Sequence, residues 1–161
     1  MIYKKFTIRP ANNEDIPAIK NLVFGVLQEY KLKPSEAGKD IDLNDIEQGY
    51  FNNRGYFGVA VDTSTNTIVG TFGLFSISKD VCELRKMYLL RQARGQGLGK
   101  YILNYAIQLA TEKHYTKIFL ETISPLKEAI SLYKKIGFKE VTPLEINDRV
   151  DQAFELDLHS A

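Results

Sequence analysis

The sequence predicts a mixed α/β fold in one domain over residues 1–161, a sheet with helices packed on both faces. Three features point to it. Short apolar or alternating blocks bounded by turn residues read as strands, and apolar residues at helical spacing recur between them. At residues 81–100 a strand runs through a glycine-rich loop straight into a helix, which joins the two layers. The resulting order is β-α-α-β-β-β-α-β-α-β-β, without an internal repeat or interdomain linker.

Phe6-Thr7-Ile8-Arg9 alternates and stops at Pro10, a short strand expected at the sheet edge. Asn12 and Asn13 are N-cap residues, Glu14 and Asp15 suit a first helical turn, and Ile16, Ile19, Val23, Val26, Leu27 and Tyr30 form one apolar stripe. Lys33 to Gly38 breaks this helix, and a second helix is expected over 42–51. Strands follow over 56–62 and 67–78, joined by the polar turn Thr63-Ser64-Thr65-Asn66. The central strand begins near Val81, and the helix after the glycine loop runs to about His114. Lys117 to Glu121 is a strand. Ser124-Pro125 reads as an N-cap with proline at the first helical position, and that helix ends at Gly137. Phe138–Val141 and Gln152–Leu158 are expected as antiparallel neighbours.

Length and composition bound the function. A chain of 161 residues buries about two-thirds of its unfolded surface. Its 21 basic and 20 acidic residues give a net charge of +1, which argues against a nucleic-acid binder driven by bulk charge. No apolar run approaches a membrane span, and Met1 to Lys5 lacks a signal-peptide core, so the expected location is the cytoplasm. The single cysteine, Cys82, lies in an apolar strand and reads as a buried structural thiol. His114 and His159 are isolated, and no cluster has metal-ligand spacing, so no metal is assigned.

The junction 81–100 carries the chemistry. Gly95, Gly97 and Gly99 sit where strand becomes helix, and a helix N-terminus offers unpaired N–H groups and partial positive charge to an anion. Arg94 and Lys100 add charge of the same sign. A P-loop fails, because its first glycine falls on Arg94 and Tyr101 replaces the required hydroxyl residue. The dinucleotide fingerprint fails as well, its third glycine falling on Lys100. What remains is Arg94-Gly95-Gln96-Gly97-Leu98-Gly99, followed downstream by Ala129-x-x-Leu132-Tyr133-x-x-x-Gly137-Phe138. With these two motifs the chain resembles the GNAT superfamily of acetyl-CoA-dependent N-acetyltransferases over nearly its whole length. It departs from the family at Leu126, where an asparagine is common, and at the loop entry Leu90-Arg91-Gln92-Ala93.

The resemblance implies acetyl-CoA as cosubstrate, its pyrophosphate held by Arg94, Gly95, Gln96, Gly97, Leu98, Gly99 and Lys100, with Met87 and Leu89 flanking the pantetheine arm. It implies a backbone N–H near Leu89 as oxyanion donor. Tyr133 takes the position of the family's general acid at the departing sulfur, against the alternative of an ordinary core aromatic. Glu83, eleven residues before Arg94, matches the base of the histone-acetylating members. Strand alternation puts Glu83, Arg85, Met87 and Leu89 on one face, where an Arg85–Glu83 pair would weaken the base. A water chain or Glu121 is the alternative. The amine must lose its proton, since free alkyl amines have a pKa of about 10.

Residues 31–51, the hairpin tip and 142–150 are expected to border the acceptor. Residues 36–47 hold five acids and one base, an acidic rim for a cationic amine or simply a solvated face. The expected partner is a small-molecule or peptide amine, with no nucleic acid and no membrane. A homodimer through the C-terminal strands competes with Val150, Phe154 and Leu156 being core. A non-catalytic acyl-CoA sensor of the same fold is the rival to an enzyme.

Overall fold

The computed structural model describes residues 1–158; His159 lies outside them. Its strands are β1 (Ile2–Tyr3), β2 (Phe6–Pro10), β3 (Tyr56–Asp62), β4 (Thr67–Ser76), β5 (Val81–Leu89), β6 (Lys117–Thr122), β7 (Lys139–Val141) and β8 (Gln152–Asp157). The α-helices are α1 (Ile16–Glu29), α2 (Ile46–Gly49), α3 (Leu98–Glu112) and α4 (Lys127–Ile136). One eight-stranded sheet runs β1-β2-β3-β4-β5-β6-β8-β7, and every pairing is antiparallel except β5 with β6. Among the described residues no helix is long and apolar enough to cross a membrane.

The two faces carry separate cores. α1, α2 and the Tyr50 that follows α2 cover one through Ile19, Val23, Leu27, Ile46 and Tyr50, and α3 and α4 cover the other through Ile102, Ala106, Ile130 and Tyr133. Val150 and Phe154 are buried and Leu156 packs on the second core, which settles the C-terminal apolar residues as core.

Several sequence expectations are corrected. β2 is not at the edge, because Met1 to Tyr3 adds β1 outside it. The helix expected over 42–51 is broken into a 3-10 turn at Ile41–Asn44, a single turn of α2, and another 3-10 turn at Phe51–Asn53. Side chains punctuate it: Asp45 accepts from the Gln48 amide at 3.0 Å, and Asn13 accepts from the Ile46 amide at 3.0 Å. Ser124 does not cap α4. Its amide and hydroxyl donate to Asp151 at 2.9 and 2.7 Å, and the helix starts after Leu126.

The site is created by β5 and β6 parting. Their pairing ends at Glu83↔Phe119, so from Leu84 onward β5 has a strand partner only on its β4 side. A mid-sheet backbone edge is thereby opened to a cleft.

Candidate active site

β5 carries a bulge that its sequence does not announce. The register with β4 jumps from Gly73↔Arg85 to Thr71↔Tyr88, so Phe72 faces both Lys86 and Met87. Lys86 takes the left-handed φ of 54°, and Thr71 Oγ1 donates to its carbonyl at 2.7 Å. One extra residue inverts the alternation that follows. Met87 and Leu89 therefore pack toward α3 and α4 with Cys82 and Leu84, while Tyr88 packs toward α1. This corrects the expectation of Glu83, Arg85, Met87 and Leu89 on one face.

The cleft holds two cavities that share Val26, Tyr30, Met87, Tyr88, Leu126 and Ala129. The larger, about 700 Å³, is lined by Met87, Leu89, Arg94, Gly95 and Gly99. Gly95 and Gly97 have φ of 73° and 84°, the region that a Cβ disfavours. A Cβ on Gly97 would lie 2.5 Å from the Tyr3 hydroxyl. Gly97 caps α3 without a side chain, so the amides of Leu98, Gly99 and Lys100 are the helix's open first turn. Leu98 itself is core, and the Lys100 side chain is exposed. Arg94 does not reach outward: its Nε and Nη2 donate to the Leu89 carbonyl at 3.0 and 2.8 Å, and Nη2 lies 3.0 Å from Glu29. Its side chain closes the turn between β5 and α3.

The N-terminus, which sequence reasoning did not connect to this loop, buttresses it. Tyr3 hydroxyl and Lys4 Nζ donate to the Gln96 carbonyl at 3.0 and 2.9 Å, and Tyr3 stacks on Tyr101 at 4.6 Å. Gln96's side chain turns back to the Gln92 carbonyl at 2.8 Å.

The smaller cavity, about 390 Å³, shares Met87 and Tyr88 with the larger and is lined by Glu83, Arg85, Glu121, Tyr133 and Arg149 among others. Tyr133 projects from α4 against Phe138 and Phe154, its ring buried, its hydroxyl without a hydrogen-bond partner among the described residues. Burial, reinforced by nearby Tyr88, pushes its phenol upward, so it stays protonated at neutral pH. Glu83 accepts from Arg85 Nε at 2.7 Å, and the guanidinium lies 3.8 Å from the Phe75 ring centroid. Glu121 enters from β6 on the same side as Glu83, since Glu83 pairs with Phe119 two residues earlier. Burial, together with the charge of Glu83, raises its carboxyl above the ordinary 4.5.

Behind this cavity is an ion cluster that the sequence conceals. Lys86 Nζ lies 3.2 Å from both Asp40 and Asp42, Arg149 makes two bonds of 2.9 and 2.8 Å to Asp40, and Tyr50 donates to Asp42. The Arg149 guanidinium also lies close enough to Tyr88 to act on its phenol electrostatically. Segments 35–45 and 142–150 are thus fastened to the β5 bulge. Their distance along the chain hides the partnership.

The profile of the Acetyltransferase (GNAT) family matches residues 23–138, and the chain belongs to that family. An N-acetyltransferase of Escherichia coli K12, YjgM, is 34% identical over 134 residues, 80% of this chain and 78% of its own. A GNAT-family acetyltransferase of Staphylococcus aureus Mu50 superposes with a TM-score of 0.87 at 25% identity, over 95% of this chain and 99% of that one. Salmonella typhimurium yncA, solved with its cofactor acetyl-CoA, shares the fold at a TM-score of 0.77 and 16% identity, over 98% and 96% of the two chains.

Proposed function

We propose that this protein moves the acetyl group of acetyl-CoA directly to a primary amine. The observation that carries the reading is the pair of cavities meeting at Met87 and Tyr88, with Tyr133 beside the junction. The donor fits the larger one: a space of about 700 Å³ is lined by Gly95 and Gly99 at an uncapped helix start. Gly95 to Lys100 would hold the pyrophosphate, and the free edge of β5 at Met87–Leu89 would bond the pantetheine arm. Bound there, acetyl-CoA supplies a thioester whose carbonyl carbon accepts the amine.

The acceptor amine enters from the smaller cavity. Glu83, which the family resemblance singles out as base, already accepts from Arg85 Nε at 2.7 Å, and a carboxylate held this way is placed to hold the ammonium. Glu121, whose carboxyl is raised above its ordinary value by burial, takes that proton directly or through water. Tyr133 keeps its proton and delivers it to the sulfur as the C–S bond breaks.

The test is a melting shift with acetyl-CoA, against ATP and NAD, followed by thiol release with an amine panel. At about 100 times Kd the ligand adds roughly 2.7 kcal/mol. A shift with acetyl-CoA alone supports the donor, and no shift overturns the reading. Tyr133→Phe is expected to bind acetyl-CoA normally and to lose transfer about 100-fold or more. Undiminished turnover in that variant removes Tyr133 from the mechanism, and absence of turnover in the wild type with binding intact would favour the sensor.

A further inference from the structure

We propose that the acceptor is a zwitterion of free amino-acid size, its ammonium facing Glu83 and Glu121 and its carboxylate facing Arg85 and Lys39. This rests on the transferase reading above.

The acid-rich stretch 36–47 suggests a rim for a polycation, but each of its five acids has a partner within the fold, and most of them face away from the smaller cavity. Glu36 pairs with Lys20 at 2.9 Å, and Asp45 and Glu47 accept backbone amides at 3.0 and 2.9 Å. Asp40 and Asp42 turn inward and are neutralised by Arg149 and Lys86, which are consumed in the same cluster. Of the five, only Asp42 lines the smaller cavity, and Lys86 pairs with it, so this stretch presents no unpaired carboxylate to the cavity.

What remains inside the smaller cavity has both signs. Glu121 has no ion pair or side-chain hydrogen bond among the described residues, and neither has the Lys39 ammonium; both line the space. Arg85 commits only Nε to Glu83, leaving both terminal nitrogens of the fork without a hydrogen-bond acceptor among the described residues, while Phe75 stacks on its plane. Glu121 lies within electrostatic reach of Glu83, Lys39 and Arg85, so the two signs are neighbours, as they are in an α-amino acid. A held guanidinium fork is complementary to a carboxylate, to which it donates two parallel bonds. A polycation would instead meet Lys39 and Arg85 as like charges, and a simple amine would leave the fork desolvated and unpaired. The volume of about 390 Å³, walled by Leu27, Leu32, Ile41, Leu120 and Ile123, leaves room for a medium apolar side chain.

The experiment uses the full chain saturated with CoA and titrates L-leucine, L-methionine and L-phenylalanine, their amides, and spermidine, reading melting shift and calorimetric Kd. Transfer from acetyl-CoA is then measured with the same compounds. At least one amino acid is expected to bind and be acetylated, with its amide weaker by about 10- to 100-fold. Arg85→Gln is expected to bring acid and amide to within about twofold, while acetyl-CoA still shifts the melting point and Arg85→Lys restores part of the preference. If Arg85→Gln does not fold, Lys39→Ala at the exposed rim must reduce the same ratio. Amides or spermidine binding as well as the acids, no acid binding, or a preference unchanged in the variants would overturn the proposal while leaving acetyl-CoA binding to support the transferase. Acids that bind without being acetylated would uphold the acceptor site and overturn transfer.

Discussion

Asp40→Asn is the perturbation that asks most of the structure. Asp40 is fully buried and accepts two bonds from Arg149, one from the Ser35 amide at 2.8 Å, and faces Lys86. Asparagine keeps the shape and removes the charge, leaving Lys86 with the carboxylate of Asp42 alone and Arg149 without its carboxylate, and presenting an N–H₂ to one of them. Removing one partner of a buried ion pair costs about 3–5 kcal/mol. For a domain of this size each kcal/mol is worth about 2–4 °C, so the melting point should fall by roughly 6–20 °C. Thermal and urea unfolding followed by circular dichroism measure it, with Arg149→Met and the double variant completing a cycle. The double variant should lose less than the sum, since it no longer buries an unpaired guanidinium.

The pH dependence adds a second arm. Burial by itself raises the Asp40 pKa, but Arg149, the Ser35 amide and Lys86 outweigh it and hold the group below the ordinary 3.8. A carboxyl depressed in the native state contributes in full above its unfolded value and stops contributing as pH falls through the native one. The gap between wild type and variant should therefore be constant near neutrality and close on acidification below 3.8. A loss under about 1 kcal/mol at neutral pH, the size of an exposed pair, would refute the cluster, as would strict additivity in the cycle.

Two further outcomes are expected. Gly97→Ala should cost about 2–3 kcal/mol, from a left-handed Cβ and a displaced Tyr3–Gln96 bond, and visibly less on a Tyr3→Phe background; Gly95→Ala, whose Cβ meets nothing within 4 Å, should cost the backbone strain alone. Equal costs of Gly97→Ala on both backgrounds would dismiss the Tyr3 buttress. Burial pushes the Cys82 thiol up to about 12, so a disulfide reagent should label it only at the rate of opening, and at once in denaturant. Rapid labelling of native protein would contradict the packing of β5.

Local signals carried much of this protein from sequence alone. Strand and helix periods, the four-residue hairpin turn and the Arg94–Gly99 loop are contiguous, because they depend on backbone geometry and on neighbours a few residues away. The helix start at Leu98 and the inward Tyr133 were legible for the same reason. Tertiary structure decided the rest, where the physics is set by residues distant in the chain. Lys86 reads as one more alternating position until Asp40 and Asp42 draw its ammonium inward and the strand bulges, inverting Met87 and Leu89. Arg94 reads as a ligand for phosphate until Glu29 and the Leu89 carbonyl claim its fork. The acids of 36–47 read as a rim until Lys20, Asn13, Lys86 and Arg149 are brought against them. A charge in a sequence has a sign, but its availability to a ligand depends on which opposite charge the fold sets beside it.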